Sequence, residues 1–278
     1  MSRSPVLLGI VNVTQDSFSD GGDFLNPDAA LAHARALAAQ GADVIDIGAA
    51  ASNPRAKPVE PDNEIARLAP LVSALKAAGI KISIDSFAPE TQLWALQQDV
   101  EYLNDIHGFA HPDIYPALAR SRATLIVMHA LRNDGPARRE DETPPNLFEQ
   151  ILAFFEFRLA TLVKAGIERG RLVLDPGMGM FLGNDREASF VVLRRIAELK
   201  NAFGLPVLVS VSRKSFLRRE GRKAAESGAA TLAAELFAVA QGADYIRTHD
   251  PRALWDALFV LRALKGEKGK EIHDTHLL

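Results

Sequence analysis

The chain contains no cysteine. That excludes disulfides, thiolate metal sites and a cysteine nucleophile together, and it suits a reducing compartment. A long apolar run is missing as well: the N-terminal stretch "SPVLLGIVNVT" breaks at Asn12, too short for a secretory core or a membrane span. A cytoplasmic protein with no membrane partner is therefore expected. Neither charge sign dominates. A net charge of -3 argues against non-specific binding to nucleic acid or to anionic membranes, which leaves a small molecule as the expected partner. Linkers, low-complexity tracts and coiled-coil heptads are also lacking, so the 278 residues are assigned to one domain, 1–278. What is present, 47% hydrophobic and 24% charged residues, is the composition of an ordinary globular enzyme that needs no staple.

A short β-branched apolar run, a polar loop and a longer segment with helical spacing recur eight times. The strand candidates are "LLGIVNV", "DVIDIG", "KISIDS", "EYLNDI", "TLIVMH", "RLVLDP", "PVLVSVS" and "DYIRTH". Between them lie Ala- and Leu-rich segments such as "PDAALAHARALAAQGA" and "AATLAAELFAVAQGA", which stop at Gly41 and Gly242, where a left-handed backbone is favoured. Near-continuous apolar strands imply burial on both faces, hence a parallel sheet covered by helices. Eight units predict an α/β fold of the closed (β/α)8 TIM barrel type, with an open doubly wound sheet as the alternative. The charged tail, residues 266–278, has no apolar face and is expected to be mobile.

In a barrel of this kind chemistry sits at the carboxyl ends of the strands. Reading those tips in order gives Asn12, Asp46, Asp85, Asn104 with Asp105, His129, Asp175, Ser212 with Arg213 and Lys214, and Arg247 with His249. One polar tip is usually a cap or turn former. A full ring mixing acids, amides and bases is what a multidentate ligand requires. Asp85, Asn104 and Asp175 supply two carboxylates and an amide, suited to a flat heterocycle rich in N–H donors. Lys214 supplies a compact cation for a ring carbonyl; a surface ion pair and an imine-forming lysine are the other readings. Arg213 belongs in part to a solvated basic face. Arg247 and His249 alternate along the last strand and point the same way, where this fold commonly holds phosphate. Asn12 offers an oxygen ligand to a Mg2+ seated on a diphosphate. His129 either joins the site or only closes the fifth strand, and Asp46 is read as supporting Asn12 or Lys214 from behind.

The stretch "LDPGMGMFLGND", Leu174 to Asp185, changes character halfway. It begins as a strand that delivers Asp175, and continues with Met180, Phe181 and Leu182 beside that carboxylate. These apolar side chains form either a wall of the site or a packed contact between loop and sixth helix.

Taken together and in order, "GIVNVTQDSFSDGGDF", "ISIDS", "YLNDIHG", "LDPGMG", "SVSRKSF" and "IRTHD" resemble dihydropteroate synthase, over about residues 6 to 265. The resemblance implies a transferase of folate biosynthesis. It would condense 6-hydroxymethyl-7,8-dihydropterin diphosphate with 4-aminobenzoate on a TIM barrel, as a homodimer assisted by Mg2+. It puts pterin binding on Asp85, Asn104, Asp175 and Lys214, with Asp85, Asp175 and Lys214 as the catalytic set. Diphosphate binding falls on Asn12, Arg247 and His249, with Asn12 also the metal ligand. The aminobenzoate side falls to loops carrying Thr14, Phe18, Ser52, Phe181 and Ser212, and a mobile first loop to Thr14 through Gly22.

Three departures stand out. Where the family has G-E-S-T-R-P this chain has "GAAASNPRAKP", with Ala50 for glutamate and Asn53 for arginine, so Arg55 or Lys57 is a candidate to replace the missing cation. Gln15 replaces a proline, which should loosen the first loop. "MGMFLGND" replaces a shorter lysine-bearing loop. Ala-Ser-Asn-Pro in the second loop with Phe-Leu-Gly in the sixth is similar to the sulfonamide-insensitive branch, the mobile-element Sul enzymes or a chromosomal relative of them, which implies reduced sulfonamide sensitivity. Two other functions stay in view: a methyltetrahydrofolate:corrinoid methyltransferase-like pterin enzyme, and a pterin-binding paralogue without turnover.

Overall fold

The structure is a computed structural model that describes residues 4–13, 27–50, 59–132, 141–219, 221 and 223–266. Among these residues eight parallel strands form one sheet: β1 (Val6–Asn12), β2 (Val44–Gly48), β3 (Ile82–Asp85), β4 (Tyr102–Asp105), β5 (Thr124–Met128), β6 (Leu172–Asp175), β7 (Leu208–Val209) and β8 (Tyr245–Thr248). They are hydrogen-bonded in the order β6-β5-β4-β3-β2-β1-β8-β7. A parallel bridge between Leu174 and Val207 joins the two ends and closes the barrel. This settles the fold as the (β/α)8 barrel rather than the open sheet. Each strand lies within a few residues of its apolar run, but β7 is shorter than "PVLVSVS" because Ser210 to Ser212 peel away from the ladder toward the site.

Helices α1 (Pro27–Ala39), α2 (Pro61–Ala77), α3 (Pro89–Gln97), α4 (Tyr115–Arg120), α5 (Leu147–Lys164), α6 (Arg186–Arg194), α7 (Ile196–Phe203), α8 (Gly228–Ala240) and α9 (Pro251–Leu264) form the outer layer. Proline at the first turn starts α2, α3 and α9, where its missing N–H is not needed. The sixth helical segment is two pieces meeting at Arg195. Gly41 takes the left-handed conformation its position predicts, φ +99. A side chain there would also collide with Trp255, since an added Cβ would lie 2.4 Å from the indole. The gain from that closeness is a hydrogen bond of 2.7 Å from Trp255 Nε1 to the Gly41 carbonyl, which ties α9 to the turn before β2.

Two cores result. The larger one fills the space between strands and helices. The smaller lies inside the barrel at its amino end, where Leu8, Val44, Ile126, Val173 and Leu208 meet beneath Val6, Tyr102 and Tyr245. Side chains in register on parallel strands share a face, so the inward column continues from Val44 to Asp46, from Tyr102 to Asn104, from Val173 to Asp175 and from Tyr245 to Arg247. The barrel interior therefore turns from apolar to charged along its axis.

Candidate functional site

At the carboxyl end, Asp85 is paired in register with Gly48 on one side and Asn104 on the other. Gly48 keeps this rim open: the space its Cβ would take is bordered by Asp85 at 3.6 Å and by Asn12 Oδ1 at 3.8 Å. Arg247 rises through the centre. Its Nη2 donates to Asp85 Oδ2 at 2.6 Å, and its Nε donates to Asp46 Oδ2. Asp46 is fully buried and was expected to support Asn12 or Lys214; its partner is instead Arg247, 201 residues away in sequence. Burial is the main influence on Asp85 and pushes its carboxyl up to about 7, against the pull of Arg247.

Asp175 ends β6. Its Oδ1 accepts the Gly177 N–H at 2.8 Å, and burial raises its carboxyl to about 6 despite that bond and the nearby Lys214. Lys214 donates to the Met178 carbonyl at 3.1 Å, and desolvation lowers it to about 8, opposed by Asp175. At neutral pH it remains mostly a cation, as an ion-pairing or hydrogen-bonding group needs and an imine-forming amine does not. Asn104 is buried, with an Oδ1 that meets no hydrogen-bond donor among the described residues. Its neighbour Asp105 faces away from the barrel and accepts from the His107 and Phe109 N–H groups and from Gln92, so it holds the fourth loop rather than a ligand.

His249 and Arg247 leave β8 on the same side, as their alternation predicts, but their partners differ. The His249 ring meets Ser212 Oγ through Nδ1 at 2.9 Å, and its backbone N–H donates to the same hydroxyl at 3.2 Å. Burial, with Arg213 and Arg247 nearby, holds the ring well below its usual pKa and therefore neutral. His129 is also neutral, lowered to about 4 by burial; its ring packs edge-on against Phe154, and its backbone N–H donates to the Asp175 carbonyl at 2.8 Å. That arrangement matches the strand-closing role.

The apolar loop after β6 divides. Leu182 is buried in the main core, which accounts for its packing role. Phe181 is half-buried with its ring 4.8 Å from Lys214 Nζ, so it walls the lysine's side of the site. Leu131 N–H to the Phe181 carbonyl, 3.0 Å, and Thr143 Oγ1 to the Leu182 carbonyl, 2.8 Å, hold the turn from the fifth loop. Thr14, Gln15, Phe18, Ser52, Asn53, Arg55, Lys57 and the tail from residue 267 lie outside the described residues.

Sequence reasoning missed Glu64. It is buried on α2 and accepts from Ser86 Oγ at 3.0 Å and Thr91 Oγ1 at 2.7 Å, bracing the chain where it leaves Asp85. On the same helix Arg67 donates to the Ala49 carbonyl at 3.0 Å. A signal existed: the two charges stand three residues apart beside the apolar stripe of Leu68, Leu71 and Leu75, whereas a solvated pair would face away from it.

Comparison with known proteins agrees with this geometry. The family described as pterin binding enzyme matches residues 8–249. Dihydropteroate synthase type-2 of Escherichia coli is 58% identical over 266 residues, covering 95% of this chain and 98% of that one. Among solved structures, Yersinia pestis dihydropteroate synthase in a sulfonamide drug complex superimposes with a TM-score of 0.87 at 31% identity, covering 95% of each chain. The Xanthomonas albilineans enzyme with 4-aminobenzoic acid gives 0.85 at 32%, covering 94% of this chain and 93% of that one. With the barrel, the ordered strand-tip motifs and these relatives in agreement, the chain belongs to the dihydropteroate synthase family of pterin-binding enzymes.

Proposed function

We propose that this enzyme condenses 6-hydroxymethyl-7,8-dihydropterin diphosphate with 4-aminobenzoate, releasing diphosphate and forming 7,8-dihydropteroate. The observation that carries the reading is the meeting of Asp85, Asn104, Asp175 and Lys214 at one barrel mouth, from β3, β4, β6 and the turn after β7. Asp175 Oδ2 and Asp85 Oδ1 lie on the carboxylates opposite the oxygens engaged by Gly177 and Arg247, and so suit ring N–H donors. Asn104 Oδ1 adds an acceptor and Lys214 a donor for the ring carbonyl. As the C–O bond to diphosphate breaks, positive charge grows on the pterin methylene and these carboxylates stabilise it; the amine nitrogen of 4-aminobenzoate then forms the C–N bond and loses a proton.

The departing diphosphate needs donors. Ser212 can give its proton to His249 Nδ1 while accepting the His249 N–H, which places the ring proton on Nε2, a buried nitrogen with no partner among the described residues. Arg247 brings the cation. For Mg2+ the donor chemistry fits: Asn12 presents one hard amide oxygen beside Gly48, and no group of three His, Asp or Glu among the described residues could hold a metal alone. We assign Asn12 as the protein ligand to a Mg2+ that arrives on the diphosphate. Bound there, the ion would neutralise charge on the leaving oxygens.

We assign reduced sulfonamide sensitivity to this chain, with Phe181, whose ring stands 4.8 Å from Lys214 Nζ, as the residue that would narrow the side on which the second substrate approaches. A homodimer is supported by apolar side chains left outward on the last two helices, Phe237 on α8 with Phe259, Val260 and Leu264 on α9, of which Leu264 is 78% exposed. A cytoplasmic setting suits the cysteine-free composition. Purified protein supplied with both substrates and Mg2+ should release diphosphate and lose that activity with EDTA. Pterin binding without turnover, in a protein of intact fold, would instead establish the non-catalytic reading.

A further inference from the structure

The helix behind the last two strand tips carries two buried polar side chains in an otherwise apolar sequence. Thr231 and Glu235 stand one turn apart on α8, on one face, and are 5% and 2% exposed. A carboxyl group in such surroundings is unfavourable unless something needs it there, and each of the pair faces a different strand tip. Thr231 Oγ1 accepts the Arg213 N–H at 3.1 Å. Arg213 has φ +59, a left-handed backbone that a residue with a Cβ rarely adopts without help, and it is the residue that aims Lys214 into the site.

Glu235 takes the second position. Its carboxyl faces the side chain of Thr248, which is fully buried and points out of the barrel between the inward-facing Arg247 and His249, and its Oε1 meets no other hydrogen-bond partner among the described residues. The Thr248 oxygen accepts the Asp250 N–H at 3.2 Å, which leaves its proton available to the Glu235 carboxyl it faces. Asp250 in turn caps α9, accepting the Ala253 N–H at 3.0 Å. Burial pushes Glu235 up to about 8, with Asp250 adding to the shift, so near neutral pH it is mostly a neutral acid offering a carbonyl oxygen.

We propose that α8 is a brace joining the Lys214 turn to the tip of β8, with Thr231 and Glu235 as positioning residues for the donor set that receives the pterin diphosphate. The two halves of that set come from different strands, and the ladder between them ends early: β7 and β8 pair only at Leu208 with Tyr245 and Val209 with Ile246. Beyond that point the main chain does not hold Lys214 in register with Arg247 and His249. Side chains of α8 do so from behind, in addition to the Ser212–His249 hydrogen bonds at the tip itself, and the inference rests on the synthase reading above.

The test is steady-state kinetics on the full-length enzyme, wild type against E235L, E235Q, T248V and the E235L/T248V double variant, with thermal melts of each. Wild-type turnover comes first, because its absence would refute the synthase reading and not the brace. Loss of a buried hydrogen bond leads us to expect kcat/KM for the pterin diphosphate to fall roughly tenfold in E235L and in T248V. KM for 4-aminobenzoate should stay near its wild-type value. E235Q keeps an acceptor oxygen and should restore activity, and the double variant should be no worse than the weaker single one, since both break one link. Losses that add in the double variant, or melts that fall while kcat/KM for the pterin diphosphate does not, would overturn the brace. Should E235L fail to fold, the nearly isosteric T248V decides alone: an unchanged kcat/KM there rejects the proposal.

Discussion

The two ends of the barrel interior are built on the same inward-facing columns and do opposite things with them. At the amino end Leu8, Val44, Ile126, Val173 and Leu208 interlock as in any core. Two residues further along, the columns of β2 and β6 deliver Asp46 and Asp175, while β8 sends Arg247 up between Asp46 and Asp85. Burial that stabilises the first layer by about 1.5–3 kcal/mol per large side chain works against the second, where it raises both Asp85 and Asp175. One end supplies stability, and the other holds charge ready for a ligand.

That contrast can be broken by substitution. Leu8→Ala should lower unfolding free energy by about 2–5 kcal/mol while leaving kcat/KM of the folded enzyme nearly intact, as denaturant titration beside an activity assay would show. Asp175→Asn should do the reverse. Calorimetry is expected to give pterin affinity weakened by roughly 1.5–3 kcal/mol, the worth of hydrogen bonds to a charged group, with a melting temperature unchanged or higher once the buried acid is gone.

A smaller effect concerns pH. Asp85 and Glu235, at about 7 and about 8, keep protons in the folded chain that the unfolded chain has already released near pH 4.5. Their stability contribution is complete below that pH and is lost as pH rises through the folded values. Unfolding of the ligand-free enzyme at pH 6.5 and 8 should differ by about 1–2 kcal/mol, with the lower pH more stable, and E235Q should flatten the slope. The smallest change is at Phe181. Phe181→Ala is expected to tighten sulfonamide inhibition severalfold, by about 1 kcal/mol of relieved crowding, with KM for 4-aminobenzoate little altered; equal inhibition of both proteins would remove Phe181 from that role.

The strands were legible because burial on both faces leaves a run of β-branched residues that few other structures require. The strand tips could be read for the same reason: a polar residue ending such a run is conspicuous. Partnerships were not legible. Arg247 sits one step nearer the amino end than His249, and only the length of its side chain brings it to Asp46 and Asp85, which a reading of strand tips does not measure. Thr231 and Glu235 were hidden differently. In "AATLAAELFAVAQGA" they look like two tolerated polar residues on a helix, and their meaning appears only when the strand behind them is in place.

Gly177 locks two strand ends together. It has φ +74, and an added Cβ would sit 2.4 Å from the His129 carbonyl oxygen, while its own N–H is fixed to Asp175. Sequence drift at this residue is therefore blocked from two directions, and the ends of β5 and β6 must move together or not at all. Downstream, Gly179 (φ +67, its N–H on Ser189 Oγ at 2.8 Å), the buried Met178 and Leu182, and Gly183, where an added Cβ would lie 2.4 Å from Thr143 Oγ1, are fixed in their turn. That leaves the half-buried Met180 and Phe181 as the less constrained pair. Only those two side chains can change without moving the glycine frame or the core beneath it. Bulk at Met180 and Phe181 can therefore change while the Asp175 carboxylate, anchored through Gly177, stays where it is.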